Sequence, residues 1–223
     1  MQTLNVYSIF KSIDGECNSA GQGALTIFLR LAGCNLFCQY PCDTQYSFKV
    51  DDSMKMPVID ILCKIRSMGI KKVTITGGEP LLQADGLVTL LAILKNEGYT
   101  ISVETNGSLS WGSLLASGVD SIVADYKLPS SGEEGKMLGE GHFLSLRKSD
   151  FIKFVIMDKT DFVSATHIYY RLRYLGALAS FAFSPVYGVL EPVSLLKMMM
   201  ENGIENAILN VQLHKILQLK EDW

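Results

Sequence analysis

Short apolar runs rich in β-branched and aromatic residues alternate along this chain with longer segments whose apolar positions recur at helical spacing. Such runs predict strands that are buried on both faces. The predicted strands are 24–32, 71–76, 99–104, 120–125, 151–157, 179–184 and 206–213. The predicted helices are 57–69, 85–98, 111–117, 160–176 and 191–202. Strands that alternate with helices indicate a parallel sheet with right-handed crossovers.

The number of predicted strands is too small for a closed eight-stranded barrel, so we expect an α/β fold with a partial (β/α) barrel. We expect one domain over residues 1–223, because no linker or low-complexity segment divides the chain. The formal net charge of −3 gives no electrostatic preference for nucleic acid. No apolar run reaches the ~18 residues of a membrane span, and the first residues do not resemble a secretory signal. We therefore expect a cytoplasmic protein.

Three cysteines, Cys34, Cys38 and Cys42, lie in the segment GCNLFCQYPCDT after the first predicted strand. A zinc site is one interpretation, with Cys17 or Cys63 as the fourth ligand, although closed zinc sites usually use paired C-x2-C elements. An iron–sulfur cluster is the other, because three thiolates leave one iron open to a non-protein ligand. Cys63 itself lies in a helical pattern and is expected to be a buried, small apolar residue.

Polar and glycine-rich segments follow most of the predicted strands. The cysteine loop follows the first, GGEP the second, TNGS the third, YKLPSSG the fourth, PVYG the sixth and HK the last. The carboxyl ends of parallel strands form the functional face of such folds. The repeated coincidence predicts a binding site at that face.

The cysteine loop and the later TGGEP together resemble the radical S-adenosylmethionine (SAM) superfamily. The resemblance implies that SAM binds the open iron of a 4Fe–4S cluster, and that an electron from the cluster cleaves SAM to a 5′-deoxyadenosyl radical. Gly77 and Gly78 allow backbone to approach a ligand closely, and Glu79 can pair with the SAM ammonium group.

A closer resemblance is carried by SIDGECNSAGQGALTIFLRLAGCNLFCQYPCDT, VETNGS and VQLHK. These segments are similar to the 7-carboxy-7-deazaguanine synthase family. That family contracts the ring of 6-carboxy-5,6,7,8-tetrahydropterin to 7-carboxy-7-deazaguanine, with loss of ammonia, on the route to queuosine and other 7-deazapurines. The resemblance implies a partial barrel of the radical SAM type, a homodimer, Mg²⁺, and an electron donor such as flavodoxin or ferredoxin.

The resemblance also implies individual site residues. The cluster ligands would be Cys34, Cys38 and Cys42, and Thr44 would contact Mg²⁺. The pterin would be bound by Ile13, Asp14, Gly15, Arg30 and Thr76. SAM would be bound by Tyr40, Gly78, Glu79, Asp125, Tyr126, Lys127, Ser184, Pro185, Val186 and Tyr187.

Some of these residues are candidate site residues from the sequence alone, without the family resemblance. Arg30 interrupts an apolar strand, and a buried guanidinium needs an anionic partner, either the substrate carboxylate or an ordinary salt bridge. Asp14 or Glu16 can accept from the amino-pyrimidine edge of a pterin, or each can be a solvated turn carboxylate. Lys153 is expected to be a surface or structural lysine, and His214 a structural histidine.

The chain departs from the family pattern in several places. Pro41 makes the spacing C-x3-C-x3-C, which we interpret as a one-residue insertion that leaves Tyr40 near the adenine. Cys17 replaces the second glycine of GEG and is expected to be a tolerated substitution. Ser184 stands where many members have Gln, and the chain continues past QLHK to residue 223.

Two other functions remain open on the sequence. One is a glycyl-radical-enzyme activase, which would act on a partner protein. The other is a non-catalytic zinc-binding module. The DGE, CDT and QLHK segments favour the synthase over the activase, whereas iron and sulfide analysis would separate the zinc-binding module from both enzymes.

Overall fold

The computed structural model describes residues 2–219. Its strands are β1 (Thr3–Ile13), β2 (Leu25–Leu31), β3 (Lys55–Pro57), β4 (Lys72–Gly77), β5 (Thr100–Thr105), β6 (Ser121–Tyr126), β7 (Phe151–Ile156), β8 (Ser180–Pro185) and β9 (Ala207–Leu209). Its α-helices are α1 (Val58–Ser67), α2 (Ala84–Asn96), α3 (Gly112–Ala116), α4 (Glu140–Phe143), α5 (Lys159–Tyr174), α6 (Pro192–Glu201) and α7 (Leu213–Ile216).

One sheet contains all of these strands, in the order β3-β1-β2-β4-β5-β6-β7-β8-β9. The strands from β2 through β4 to β9 are parallel, whereas β1 is antiparallel to both β2 and β3. The predicted α/β partial barrel is confirmed. The sequence analysis missed β1 and β3, and the predicted strand 206–213 is shorter, since pairing stops after Leu209.

Helix α1 shows how the apolar pattern attaches a helix to the sheet. Its buried face consists of Val58, Ile61, Leu62 and Ile65. Cys63 is exposed, so the prediction that it is buried was wrong. The reason is geometric: each residue turns about 100° around the helix axis, which carries position 63 away from the buried face.

The connection between β1 and β2, residues 14–24, crosses the amino-terminal side of the parallel strands, and we call it the floor loop. Its Ser19 N–H donates to Ser121 Oγ at the start of β6 (3.2 Å). Lys72, the first residue of β4, donates to Asn18 Oδ1 (3.1 Å) and pairs with Asp14. The floor loop therefore closes the barrel from the side opposite the cysteine loop.

Cys17 projects from the floor loop into the barrel. It is 4% exposed and packs against Val123 and Ala182. Alternate residues of a strand share a face, so Cys17 lies on the same inner face as Asp125 and Ser184. Burial raises the pKa of this thiol to about 12, which keeps it protonated and apolar in character.

Candidate active site

A cavity of about 440 Å³ opens where β2, β4, β5, β6, β7 and β8 end. The predicted site residues that line it are Ile13, Gly15, Arg30, Cys34, Cys38, Tyr40, Cys42, Thr44, Thr76, Gly78, Asp125, Lys127, Ser184, Pro185, Val186 and Tyr187. Asp14, Glu79 and Tyr126 are not among the residues that line it. The position of the cavity agrees with the expectation of a site at the carboxyl ends of the strands.

The three cysteine thiols face this one cavity, and burial raises the pKa of Cys34 and of Cys38. The cysteine loop, residues 33–44, is fixed by the segment that follows β6. The backbone N–H of Phe37 donates to Glu133 Oε1 (2.7 Å), and that of Gln39 donates to the Ser131 carbonyl (2.9 Å). Three thiols held around one cavity fit an iron–sulfur cluster with an open iron.

A zinc site with a fourth cysteine does not fit this arrangement. Cys17 lies in the barrel interior and Cys63 on the outer side of α1, and neither lines the cavity. Across residues 2–219, no three His, Cys, Asp or Glu side chains are grouped closely enough to hold a single metal ion.

The GGE turn after β4 packs directly on the cysteine loop. The N–H of Gly78 donates to the Leu31 carbonyl (3.2 Å), and the N–H of Glu79 donates to the Gly33 carbonyl (2.7 Å). A Cβ at position 78 would lie 2.2 Å from the Gly33 carbonyl oxygen, so this position requires glycine. The turn thus sets the position of the cysteine loop as well as lining the cavity.

Glu79 is fully buried and its carboxylate is engaged by the chain itself. It accepts from the backbone N–H groups of Asn106 (2.6 Å) and Leu81 (3.0 Å) and from the Thr105 hydroxyl (2.9 Å). Burial raises its pKa to about 7. In this structure Glu79 ties the GGE turn to the end of β5.

The end of β6 directs alternate side chains to opposite faces. Lys127 donates to Asp125 Oδ2 (2.6 Å) and to the Tyr40 hydroxyl (3.1 Å), which connects β6 to the cysteine loop. Burial opposes the charge on Lys127, but Asp125 holds the pKa of the lysine well above its usual value. Tyr126 points the other way and packs against Phe143, and it does not line the cavity.

Lys153 of β7 is buried and lines the cavity, so of the two expectations, a surface or a structural lysine, the surface location was wrong. Its ammonium group donates to Glu16 Oε2 (2.6 Å) and pairs with Asp125 Oδ1 (3.1 Å). Glu16 is therefore not a solvated turn carboxylate. Two acidic groups and one lysine form a buried ion network that includes Asp125, one of the predicted SAM-binding residues.

Glu104 lies at the end of β5 and was not recognised from the sequence. It lines the cavity and accepts a hydrogen bond from Thr76 Oγ1 (2.7 Å). Burial, and then the negative charge of Glu16, raise its pKa. Glu104 is the last residue of the predicted strand 99–104, so the rule that residues after strands build the site begins one residue beyond it.

Arg30 lies beside Thr76, since β2 and β4 pair these two residues in register. Its guanidinium carbon is 6.0 Å from the centre of the Phe10 ring and 5.7 Å from that of Tyr46. The group is 8% exposed and faces the cavity. Asp14, in contrast, is a buried residue of the floor loop that pairs with Lys72 and accepts from Thr74 Oγ1 (2.7 Å).

Residues 211–219, which we call the terminal segment, cover one side of the cavity. The Gln212 amide donates to Glu16 Oε1 (2.8 Å) and to Asp43 Oδ2 (3.1 Å). Lys215 pairs with Asp43 (2.8 Å) and lies 4.8 Å from the centre of the Tyr187 ring. The terminal segment therefore joins the floor loop to the cysteine loop.

His214 and Thr44 also face the cavity. Burial lowers the pKa of His214. The Thr44 hydroxyl lies 3.4 Å from the Cys42 sulfur.

The sequence continues past QLHK to residue 223, and its last residues, 220–223, lie outside the described residues. No helix within residues 2–219 has the length and apolar content to cross a membrane.

Comparison with known proteins gives concordant matches. A model of the Radical SAM superfamily matches residues 29–127. The chain is 39% identical over 211 residues to the 7-carboxy-7-deazaguanine synthase of Clostridium acetobutylicum, with 93% of each chain covered. It is 34% identical over 217 residues to that of Methanospirillum hungatei, with coverage of 97% and 86%. The crystal structure of QueE from Escherichia coli matches the fold with a TM-score of 0.71, over 95% of each chain at 20% identity.

Proposed function

This chain belongs to the 7-carboxy-7-deazaguanine synthase family of radical SAM enzymes, and we propose that it converts 6-carboxy-5,6,7,8-tetrahydropterin to 7-carboxy-7-deazaguanine with loss of ammonia. The observation that carries the proposal is the set of three thiols, one arginine and buried carboxylates around one cavity. A 4Fe–4S cluster and SAM supply the radical that starts the reaction. The chain's own residues bind, orient and shield the two ligands.

Cys34, Cys38 and Cys42 are the proposed cluster ligands, since all three face the cavity from one loop that the GGE turn holds in place. The proposed SAM contacts are Tyr40, Gly78, Asp125, Lys127, the backbone of Tyr126, and the turn formed by Ser184, Pro185, Val186 and Tyr187. The Lys127 contacts to Asp125 and Tyr40 support this grouping, because they bring strand and loop to one side of the cavity. Glu79 contributes to the proposed SAM site indirectly, because it fixes the position of the GGE turn.

The pterin is proposed to bind between Arg30 and the floor loop. The planar fork of Arg30 suits a carboxylate, and its place between two aromatic rings limits its movement. Thr76, Ile13 and Gly15 line the same part of the cavity. Asp14 is left out of this site, since it does not line the cavity and its carboxylate is taken up by Lys72 and Thr74.

Glu16 and Glu104 are suited to the polar edge of the pterin. Both carboxylates line the cavity, and each is oriented by a hydrogen bond from the chain, Glu16 from Lys153 and Glu104 from Thr76. A carboxylate fixed in this way can accept from the amino-pyrimidine edge or hold a proton near it.

Three further parts of the proposal come from the family resemblance. Mg²⁺ would contact Thr44, whose hydroxyl faces the cavity. An electron donor of the flavodoxin or ferredoxin type would reduce the cluster. The chain would form one domain and act as a homodimer. The activase alternative is not favoured, because the synthase relatives match over most of the chain.

The decisive experiment is anaerobic turnover. The protein is reconstituted with iron and sulfide, then incubated with 6-carboxytetrahydropterin, SAM, Mg²⁺ and dithionite. We expect a product with the mass of 7-carboxy-7-deazaguanine and one released ammonia per product. A reconstituted protein that cleaves SAM but returns the pterin unchanged would reject the proposed substrate.

A further inference from the structure

The ammonium group of Lys153 connects two elements that contribute to the cavity, the floor loop and β6. Lys153 of β7 donates to Glu16 of the floor loop (2.6 Å) and pairs with Asp125 of β6 (3.1 Å). These two partners lie 137 and 28 residues away in the sequence, so the contact exists only in the folded barrel. The lysine side chain is 10% exposed, and those of its partners are 14% and 15% exposed.

Each carboxylate is also held from its other side. Asp125 receives a hydrogen bond from Lys127 (2.6 Å), and Glu16 receives one from the Gln212 amide (2.8 Å). Burial disfavours the charge on Lys153, but Asp125, Glu16 and Glu104 together hold the pKa of the lysine well above its usual value. The surrounding carboxylates therefore favour the charged form, and Lys153 is the common partner of Glu16 and Asp125.

We propose that Lys153 is a positioning residue that fixes the pterin side of the cavity relative to the SAM side, by holding Glu16 and Asp125 on one ammonium group. This inference rests on the proposed function, because it presumes that both ligands occupy the cavity. Reaction between two bound groups depends steeply on their separation and orientation. Without Lys153, SAM should still be cleaved, but a smaller fraction of the cleavage events should lead to conversion of the pterin.

The test is the ratio of 5′-deoxyadenosine to 7-carboxy-7-deazaguanine formed by the reconstituted holoenzyme with dithionite. We expect Lys153→Gln to raise this ratio about fivefold, the effect of losing roughly one net hydrogen bond of orientation. If Lys153 were purely structural, Lys153→Gln would lower the melting temperature and the amount of active enzyme while leaving the ratio at the wild-type value. An unchanged ratio in Lys153→Gln overturns the proposal.

Lys72→Gln is the matched control. Lys72 is also a buried lysine that pairs with a carboxylate of the floor loop, Asp14, but neither residue lines the cavity. We expect Lys72→Gln to lower the melting temperature and leave the ratio unchanged. If it raises the ratio as much as Lys153→Gln does, loosening of the floor loop is sufficient and a specific role for Lys153 is rejected.

A second readout does not need the loaded enzyme. The fluorescent analogue 6-carboxypterin is titrated into cluster-free protein, and we expect Lys153→Gln to weaken its binding about fivefold through misplacement of Glu16. If Lys153→Gln does not fold, Lys153→Arg decides: it keeps the charge but has a different reach, so the proposal requires a raised ratio and a wild-type ratio rejects it. Failure of the proposed function is separate, since it would appear as absence of product from the wild-type enzyme.

Discussion

His214 occupies the space that a side chain at position 15 would need: a Cβ on Gly15 would lie 1.9 Å from His214 Nδ1. The carbonyl of Gly15 also accepts from the backbone N–H of Leu213 (2.9 Å). The terminal segment therefore docks on the floor loop through a glycine. This contact leaves the imidazole half-buried beside the cavity.

We expect His214 to make the fold sensitive to acid. Burial lowers the pKa of His214 below its ordinary value of 6.5, so the unfolded chain binds a proton there at a higher pH than the folded chain does. Stability from this group is complete above about pH 6.5 and is lost as the pH falls through the lower, folded-state pKa. His214→Asn should therefore lose less free energy of unfolding than wild type on going from neutral to acidic pH.

Urea unfolding of cluster-free protein at about pH 7.5 and about pH 5 measures this difference. His167→Asn is the matched control, because His167 is exposed on α5. It should keep the wild-type pH dependence. Identical pH dependence in wild type and His214→Asn would contradict the prediction.

We expect replacement of Cys34, Cys38 or Cys42 by Ala to abolish both cluster assembly and SAM cleavage. Within residues 2–219, no other thiol lines the cavity to replace a lost ligand. Iron and sulfide content and 5′-deoxyadenosine formation are the measurements. Cys63→Ala is the control and should behave as wild type, because Cys63 is exposed on α1. Full cluster content in Cys38→Ala would refute the ligand assignment.

We expect Arg30→Gln to raise the KM for the pterin about ten- to a hundredfold, the loss of one charge-assisted hydrogen bond of roughly 1.5–3 kcal/mol. Cluster content and SAM binding should persist. Steady-state kinetics and thermal melting on one anaerobic preparation separate the alternatives. Arg66→Gln, which breaks an exposed pair with Glu97, is the control and should leave the KM unchanged. A large loss of melting temperature with an unchanged KM would assign Arg30 to a structural salt bridge.

Thr44→Ala should leave the cluster intact and weaken Mg²⁺-dependent turnover. Mg²⁺ keeps most of its waters and takes few protein oxygens, so the loss of one ligand should raise the Mg²⁺ concentration needed for half-maximal rate. The measurement is a Mg²⁺ titration of turnover, with Thr44→Ser as the control that retains the hydroxyl. If Thr44→Ala and wild type titrate alike, Thr44 is not a ligand.

Breaking the ion pair between the floor loop and β4 should be costly. Lys72→Met leaves the buried carboxylate of Asp14 without its cation, a change that typically costs about 3–5 kcal/mol of unfolding free energy. Adding Asp14→Leu removes the unpaired charge and should recover part of that loss. Urea unfolding of cluster-free protein gives both values. A double variant less stable than Lys72→Met would show that Asp14 stabilises the loop without the lysine.

The parallel strands and the cysteine loop were predictable because their signals are local: short apolar runs, and three cysteines within one loop. Strand β1 was missed because polar residues interrupt its apolar positions and only part of it is buried. Cys63 was assigned to the wrong face although the buried positions of α1 were readable from its spacing. Careful counting around the helix would have corrected that error.

The ion network was not predictable, because its contacts join distant segments. Nothing near Lys153 in the sequence identifies Glu16 as its partner, and Gln212 reaches both Glu16 and Asp43 only after the barrel has formed. The same is true of Asp14, whose approach to Lys72 removes it from the cavity. Such pairings depend on strand order and register, which local patterns do not specify.

The register of β2 against β4 fixes Arg30 and Thr76, which are proposed to bind the pterin, independently of the length of the cysteine loop. Hydrogen bonding between these strands sets Arg30 opposite Thr76 and Leu31 opposite Gly77, before the cysteine loop begins. Pro41, which we interpret as an inserted residue, lies within the crossover that follows, so it does not slide one strand along the other. In evolutionary terms, a one-residue change of length in the cysteine loop leaves the spacing of Arg30 and Thr76 as it was.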